Sequence, residues 1–206
     1  MAIDEALLRA VSKPTLRIYR WNSPWVSFGY FQEIGRVYES FPGFPVVRRW
    51  TGGGMVSHGE DLTFSLAIPT GEKVSKESPT ALYKKIHGAL ALLIRSRLPL
   101  PVQLAGSQDL RPGLLCFQAP VNDDLLILGK KVLGGAIRRS GGGVLYQGSL
   151  RIRDIPGWDA AMLSPNALAR AFGESMKIVE ISPYLLDEAQ ELAATRYSSK
   201  AWSQRK

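Results

Sequence analysis

Cysteine and histidine are scarce in this sequence, which has one Cys and two His among 206 residues. One Cys cannot form an internal disulfide, and with two separated His it does not suit a structural zinc site, so no metal site is expected. The longest apolar stretch, residues 88–94, is far shorter than the ~20 residues that span a bilayer. Met1–Glu5 lacks the basic region of a signal peptide. We therefore expect a protein of the reducing cytoplasm without membrane association.

The remaining composition is that of an ordinary globular protein. Hydrophobic residues make up 45% and charged residues 21% of the chain, which argues against wholesale disorder. A chain of 206 residues fits one large domain and can bury a sizeable core without covalent staples. No internal repeat and no low-complexity linker divides it.

Basic residues exceed acidic ones, which gives a net charge of +8, and the excess is unevenly distributed. Residues 107–153 carry seven basic and three acidic side chains, and residues 196–206 carry four basic and no acidic ones. Such a surface attracts nucleic acid, an acidic protein partner or a small anion, and charge alone does not choose among them. No helix-turn-helix, zinc-finger or RNA-binding aromatic signature is present, so nucleic acid is the least favoured of the three.

Hydrophobic periodicity predicts a mixture of strands and helices. The clearest helix spans Pro79 to Leu98, where Ser78 suits the N-cap and Pro79 the first helical position. Further helices are predicted at Ile3–Val11, near Asn166–Phe172 and from Pro183 onward. Strands are predicted at Thr15–Trp21, Trp25–Tyr30, Phe44–Trp50, Asp61–Ile68 and Lys177–Ile181, with a three-stranded meander at Leu125–Leu128, Lys131–Ile137 and Val144–Leu150. Because strands come in hairpins rather than in alternation with helices, the pattern favours the α+β class.

Three consecutive glycines follow the strand predicted at 44–50, in the segment Arg48-Arg49-Trp50-Thr51-Gly52-Gly53-Gly54. Glycines let backbone N–H groups approach an anion without obstruction by a β-carbon, and the arginines add positive charge. A flexible turn explains the same residues equally well, because the spacing matches neither a P-loop nor a dinucleotide fingerprint. His58 closes this loop and can bond either a ligand or the loop backbone.

Cys116 and two adjacent lysines are the other candidates for chemistry. Most single cysteines are small buried hydrophobes, but Cys116 lies beside the basic segment, and nearby positive charge favours the nucleophilic thiolate. Pleating turns Lys130 and Lys131 to opposite faces of their predicted strand, so one can point inward to an anion or carboxylate. Two solvated turn lysines are the commoner arrangement. His87, in the middle of the long helix, is expected to be structural, and no elbow motif supports a Ser-His-Asp triad.

Several segments are distinctive when read together: MAIDEALL at the N-terminus, WVSFGYFQ at 25–32, RRWTGGGMVSHGEDLTFSL at 48–66, CFQAP at 116–120, DLLILGKKVLGGAIRRS at 124–140, LYQGSL at 145–150 and RYSS at 196–199 with Trp202. In this order they resemble the lipoate–protein ligase and octanoyltransferase superfamily, over nearly the whole chain. The resemblance implies an α+β fold with a central mixed, largely antiparallel sheet flanked by helices. It also implies one catalytic domain over residues 1–206, without a C-terminal accessory domain.

The resemblance implies roles for particular residues. Cys116 matches the nucleophile of the cysteine-dependent octanoyltransferases, a position where ATP-dependent ligases of the family have no Cys. Lys131 matches the lysine that binds the acyl carbonyl or the acyl-phosphate oxygens, and Asp124 matches an acidic residue near it. The implied substrate-binding residues of the glycine loop and of the strand beside the acyl chain are Arg49, Thr51, Gly52, Gly53, Gly54, His58, Gly134, Gly135 and Ala136.

The activity implied by the resemblance is transfer of an octanoyl or lipoyl group to a lysine of a lipoyl-carrier domain, through a thioester on Cys116. The acyl group is a substrate, and no tightly bound cofactor is implied. An acyl carrier protein or a lipoyl-carrier domain is usually acidic, which suits the basic surface. Three alternatives stay open: an ATP-dependent lipoate–protein ligase that uses ATP and Mg²⁺ to form an acyl-adenylate, a non-catalytic acyl-binding protein and a nucleic-acid-binding protein.

Overall fold

The computed structural model describes residues 1–158, 166–167, 171 and 177–205. In chain order its elements are α1 (Ala2–Ala10), β1 (Thr15–Tyr19), β2 (Trp25–Phe28), α2 (Ile34–Ser40), β3 (Val46–Arg48), β4 (Val56–His58), β5 (Leu62–Pro69), α3 (Pro79–Arg95), β6 (Val102–Leu104), β7 (Leu125–Ile127), β8 (Lys130–Ser140), β9 (Gly143–Leu150), α4 (Pro183–Leu192) and α5 (Lys200–Ser203). A π-helical turn, Ala193–Tyr197, joins the last two helices. No helix within these ranges is both long and apolar enough to cross a membrane.

Two sheets form the framework. The larger has the strand order β1-β5-β9-β8-β7-β6, and all of its neighbouring strands are antiparallel. The smaller has the order β3-β2-β4, in which β2 is parallel to β3 and antiparallel to β4. The prediction of an α+β fold around a mixed, largely antiparallel sheet is confirmed.

Strand alternation gives the large sheet two chemically different faces. Phe64 and Ile68 of β5 and Tyr146 of β9 pack into the main hydrophobic core, which α3 covers with the stripe Leu82, Ile86, Leu90 and Ile94. The residues between them on β5 and β9 point to the opposite face and are mostly small or polar: Thr63, Ser65, Gln147 and Ser149, all buried. Helices α1 and α4 cover one end of that second face with a separate apolar cluster.

The long helix and the meander form where the sequence predicts them. The Ser78 hydroxyl caps α3 by accepting a hydrogen bond from the Ala81 N–H at 3.1 Å, although the helix ends at Arg95, earlier than predicted. The turn between β7 and β8 is Leu128-Gly129, both with positive φ, as a two-residue hairpin requires. That turn lets β8 begin at Lys130, one residue before the predicted start.

Other elements differ from the prediction. The strand predicted at Lys177–Ile181 is wrong, because these residues form no strand. Ile178 is 77% and Val179 71% exposed, so the apolar side chains that suggested a strand are not packed in a core. Most of the helix predicted near Asn166–Phe172 lies outside the described residues. The three-residue strands β4 and β6 were not predicted, because so few residues show too little periodicity to be recognised. Helix α2 was not predicted either.

Candidate active site

A small cavity of about 30 Å³, open to solvent on one side, lies between the two sheets. Both sheets and two loops contribute to its lining, and most of the side chains that they contribute are small. The lining residues are Met1, Ser27, Arg49, Gly53, Val56, His58, Thr63, Cys116, Gly134, Gly135, Ala136, Gln147, Gly148 and Ser149. Seven of the residues implied by the family resemblance therefore meet in one place: Arg49, Gly53, His58, Cys116, Gly134, Gly135 and Ala136.

Cys116 is held at this cavity by the glycine loop. The Cys116 N–H donates to the Met55 carbonyl at 2.9 Å, and the Met55 N–H donates to the Leu114 carbonyl at 2.9 Å. This short parallel bridge brings the two loops so close that a β-carbon at Gly54 would lie 2.8 Å from the Leu114 oxygen and 3.0 Å from the Cys116 nitrogen. The loop that carries Cys116, residues 114–116 (the cysteine loop), can therefore pack this closely only because position 54 is a glycine. This role of Gly54 differs from binding an anion.

The Cys116 sulfur and the Lys131 ammonium converge on the same small space beside Gly134. A β-carbon at position 134 would lie 2.6 Å from Cys116 Sγ and 3.2 Å from Lys131 Nζ. Because the two residues are on different elements, their approach depends on the glycine between them. The Cys116 sulfur and the Lys131 ammonium therefore both approach Gly134, which lines the cavity together with Cys116.

Lys131 is buried and paired, whereas Lys130 is exposed. Lys131 Nζ lies 2.6 Å from Asp124 Oδ2, and both side chains are almost fully buried. Asp124 Oδ2 also accepts from the Val121 N–H at 2.7 Å, and its Oδ1 accepts from the Tyr83 hydroxyl at 2.5 Å. The opposite orientation of the two lysines follows the alternation predicted for the strand. The carboxylate next to Lys131 keeps its charge compensated in the interior.

The Arg49 side chain holds the glycine loop, residues 51–54, in place through hydrogen bonds. Its Nη2 donates to the carbonyls of Gly52 and Gly54 at 2.9 and 2.7 Å, and its Nη1 donates to Ser27 Oγ at 2.8 Å. Burial lowers the pKa of Arg49 to about 10, so the guanidinium stays positively charged at neutral pH. These bonds use three of the five N–H donors of the guanidinium, and because Arg49 lines the cavity, a ligand there meets its positive charge.

Ser27 connects Arg49 to a buried histidine and carboxylate. Ser27 Oγ lies 2.6 Å from His58 Nε2, and His58 Nδ1 lies 2.8 Å from Asp61 Oδ2. Asp61 Oδ2 also accepts from Thr63 Oγ1 at 2.9 Å and from Ser149 Oγ at 2.6 Å. Trp21 stacks on the His58 ring, with 4.3 Å between ring centroids.

The protonation states of this chain follow from burial and its hydrogen bonds. Burial lowers the pKa of His58 despite the adjacent carboxylate, so the ring is neutral at pH 7. Burial alone would raise the pKa of Asp61, but the hydrogen bonds from His58, Ser149 and Thr63 outweigh it and the pKa is lowered. An ionised Asp61 only accepts, so Nδ1 of His58 carries the proton and Nε2 accepts from the Ser27 hydroxyl.

The distances within Ser27, His58 and Asp61 are those of a Ser-His-Asp triad, an arrangement that the sequence disfavoured for lack of an elbow motif. Ser27 is fully buried, and Arg49 already donates to its oxygen. The three residues therefore anchor Arg49 and the glycine loop rather than expose a second nucleophile. Asp61 follows His58 by three residues, so a carboxylate partner for that histidine was visible in the sequence. Nothing in the sequence pointed to Ser27.

The other predicted site residues lie around the cavity without lining it. Thr51 is buried and its hydroxyl donates to the Gln147 side chain at 2.8 Å. Gly52 faces Phe31, outside the cavity, and Asp124 is ion-paired with Lys131. Sequence reasoning missed Tyr83 and Gln147, which reach the site from α3 and β9. Within the described part of the chain, no three His, Cys, Asp or Glu side chains come together to hold a metal ion.

Known proteins share both the sequence and the architecture. Residues 1–155 match the family described as the lipoyl protein ligase A/B catalytic domain. The chain is 34% identical over 165 residues to Octanoyltransferase LipM of Macrococcus caseolyticus, an alignment that covers 73% of this chain and 60% of that protein. The chain thus spans less than two thirds of this relative's length.

Solved structures agree at the level of the fold. A crystal structure of lipoate-protein ligase A bound with ATP superposes with a TM-score of 0.79 at 24% identity, and covers 98% of this chain and 92% of that one. A bi-partite lipoate protein ligase from Thermoplasma acidophilum, analysed with its E2 lipoyl domain, superposes with a TM-score of 0.75 at 24% identity. That alignment covers 98% of this chain and 89% of the other. At these identities the likeness shows the fold.

Proposed function

Because the chain belongs to the lipoyl protein ligase A/B catalytic domain family, we propose that it transfers an octanoyl or lipoyl group to a lysine of a lipoyl-carrier domain, through a thioester on Cys116. The observation that carries the proposal is the convergence of Cys116 Sγ and Lys131 Nζ beside Gly134, at the edge of the cavity. The octanoyltransferase name of the relative at 34% identity supports the same reaction class.

The first half of the reaction loads Cys116. The thiolate attacks the carbonyl carbon of an acyl thioester on a carrier protein, and the resulting tetrahedral intermediate carries a negative oxygen. Lys131 keeps at least one ammonium N–H for that oxygen, because Asp124 holds one and the Ala119 carbonyl, at 3.5 Å, holds another weakly. Collapse of the intermediate breaks the bond to the carrier sulfur, which leaves as a thiolate and takes up a proton.

The second half transfers the acyl group from Cys116 to the acceptor. The neutral amine of the acceptor lysine attacks the thioester carbon, and Lys131 again stabilises the oxyanion. An amide bond forms, the amine loses its proton, and Cys116 leaves as the thiolate. Small residues line the cavity on the side of the large sheet, and the acyl chain would extend along Gly134, Gly135 and Ala136.

The basic surface suits acidic donors and acceptors. Lys130, which precedes the buried Lys131, is exposed, and so is Arg111 on the loop that leads to Cys116. Complementary charge accelerates the encounter of two proteins more than it tightens the complex. The Thermoplasma acidophilum ligase is described with an E2 lipoyl domain, which supports a lipoyl domain as the acceptor here.

An ATP-dependent ligase is the second candidate, and the likeness in fold to lipoate-protein ligase A favours it. In that reaction Lys131 would hold the phosphate oxygens of an acyl-adenylate. ATP would be consumed with release of pyrophosphate and AMP, and Mg²⁺ would be required but not consumed. Cys116 would then have no covalent role. The position of its sulfur beside Lys131 is the reason for preferring the thioester route.

Intact-mass spectrometry after incubation with an octanoylated acyl carrier protein, without ATP, tests the proposal. We expect wild-type protein to gain the mass of one octanoyl group and to lose it when a lipoyl domain is added. Cys116→Ser removes the thiolate but little volume, so it should stay folded and gain no mass. A Cys116→Ser protein with undiminished transfer would refute the thioester route.

The same assay separates the alternatives. Octanoyl transfer to the lipoyl domain that needs free octanoate, ATP and Mg²⁺, and that survives in Cys116→Ser, would establish the ligase. Binding of octanoate without transfer under either condition would indicate a non-catalytic protein. Retention on nucleic acid that falls steeply with salt, and is indifferent to octanoate, would indicate a nucleic-acid-binding protein.

A further inference from the structure

We infer that Tyr83 is a positioning residue for the acyl transfer, because its hydroxyl holds both the Asp124–Lys131 pair and the glycine strand that borders Cys116. The inference rests on the proposed function, in which Lys131 stabilises the oxyanion. Tyr83 lies on α3, outside the segments that carry the family resemblance, and it does not line the cavity.

The Tyr83 hydroxyl makes two hydrogen bonds in opposite directions. It donates to Asp124 Oδ1 at 2.5 Å and accepts from the Gly135 N–H at 3.1 Å. Burial, followed by the negative charge of Asp124, raises the pKa of Tyr83 well above its ordinary value, so the hydroxyl keeps its proton. One oxygen atom therefore joins three elements: helix α3, the loop before β7 and strand β8.

A gap in the large sheet explains why the backbone N–H of Gly135 needs a side chain as its hydrogen-bond acceptor. Strand β7 pairs with β8 only as far as Leu125 opposite Leu133. Gly135 lies two residues further along β8, and none of the described strands is on that side to accept its N–H. The Tyr83 hydroxyl takes the place of the missing strand, because an unpaired N–H in the interior is costly. It does so next to Gly134, where Cys116 and Lys131 converge.

The carboxylate of Asp124 is oriented by what bonds each of its oxygens. Oδ2 accepts from Lys131 and from the Val121 N–H, and Oδ1 accepts from Tyr83. Asp124 is fully buried, so water does not replace a lost donor without rearrangement. Without the Tyr83 hydroxyl, Oδ1 of Asp124 loses its donor, and the carboxylate rotates toward its remaining donors. The Lys131 ammonium moves with it, and displacements of about 1 Å in such groups cost on the order of a hundredfold in rate.

The ring of Tyr83 is itself well supported. It packs on His87 with 3.9 Å between ring centroids, and on Tyr146 with 6.1 Å. Replacement by Phe keeps this ring packing and removes only the hydroxyl. The change therefore isolates the two hydrogen bonds from the hydrophobic core.

The test compares Tyr83→Phe with Tyr197→Phe. Tyr197 is a matched control, because its partly buried hydroxyl donates to the buried carboxylate of Glu5 at 2.9 Å and does not line the cavity. Rates of octanoyl loading on Cys116 are measured at several concentrations of octanoylated carrier protein. We expect Tyr83→Phe to lower kcat by about tenfold to a hundredfold with KM for the donor within about twofold. Tyr197→Phe should keep the wild-type kcat, with thermal melts of both variants as the measure of folding.

A double mutant separates positioning from general loosening of the fold. If Tyr83 acts through Lys131, adding Tyr83→Phe to Lys131→Met should not slow loading further than Lys131→Met alone. Independent, multiplicative losses in the double mutant would overturn the inference, as would a Tyr83→Phe enzyme with the wild-type kcat. Failure of the wild type to load Cys116 at all would refute the proposed function instead, so the two failures are distinguishable.

Discussion

Lys131 and Lys130 are neighbours in sequence but have opposite environments. Lys131 is buried at 6% exposure and paired with Asp124, whereas Lys130 is exposed at the start of β8. In the proposed reaction, a buried ammonium beside Cys116 has a large electrostatic effect on an oxyanion, because little water screens it. A solvated ammonium at the next position does not.

Substitution of each lysine by Met should therefore separate the two. Lys131→Met should raise the barrier to octanoyl transfer by on the order of 3 kcal/mol, about a hundredfold in rate. Lys130→Met should change the barrier by at most a few tenths of a kcal/mol. Both rates are measured at saturating donor, with unfolding monitored separately, because Lys131→Met leaves Asp124 buried without its cation. Equal rates in the two variants would show that Lys131 does not serve the reaction.

At the scale of elements, the glycine loop performs different tasks at successive positions. Gly54 lets the cysteine loop pack against the glycine loop without a clash. Gly53 has a φ of +86°, a conformation that residues with a β-carbon rarely adopt. A β-carbon at Gly53 would also lie 3.3 Å from Arg49 Nη2, the atom that braces the loop. At Gly52 the nearest atom to a new β-carbon is 3.9 Å away, on Phe31.

These differences predict that substitution by Ala has different effects at the two adjacent positions, Gly53 and Gly52. Gly53→Ala should cost about 1 kcal/mol of stability through its positive φ. It should also weaken octanoate binding by about tenfold, because Arg49 and the cavity lining must shift. Gly52→Ala should keep the wild-type affinity. Calorimetric titration with octanoate beside a thermal melt checks both, and equal affinities for the two variants would reduce the loop to an ordinary turn.

At the scale of the whole molecule, a buried neutral histidine couples stability to pH. Burial, followed by the charge of Lys131, lowers the pKa of His87 from 6.5 to about 3. Its Nε2 lies 2.8 Å from the hydroxyl of Tyr146, whose own pKa is raised by burial. Between these two pH values the unfolded chain binds a proton at this position and the folded chain does not. The stabilisation is therefore complete above about pH 6.5 and is lost progressively as the pH falls toward 3.

We expect the free energy of unfolding to fall on acidification between pH 6.5 and pH 5, and His87→Gln to make that fall shallower by about 1.4 kcal/mol per pH unit. His58 is present in both proteins, so its contribution cancels. Asp4 and Asp61 have lowered pKa values and contribute only at more acidic pH. Urea denaturation at several pH values gives the slopes. Parallel slopes for wild type and His87→Gln would show that His87 is not kept neutral in the fold.

Local residue patterns were sufficient to predict several elements and part of the chemistry. The apolar stripe and cap of α3, the meander around Gly129 and the opposite faces of Lys130 and Lys131 all follow from residue spacing, because side-chain direction repeats within an element. The ordered motifs also indicated the family and the α+β fold. Where the apolar residues stay exposed in the fold, as at Ile178 and Val179, the strand prediction was wrong.

Which side chains meet depends on how the helices and sheets pack together. Tyr83 and Asp124 are 41 residues apart in the chain, and Ser27 and His58 are 31 apart, yet each pair shares a hydrogen bond. Cys116 and Lys131 converge only because Gly134 has no side chain and the cysteine loop rests on Gly54. Local spacing carries no information about such contacts, since the packing of α3 and two sheets against one another sets the distances. The cavity and the network around it are therefore properties of the fold.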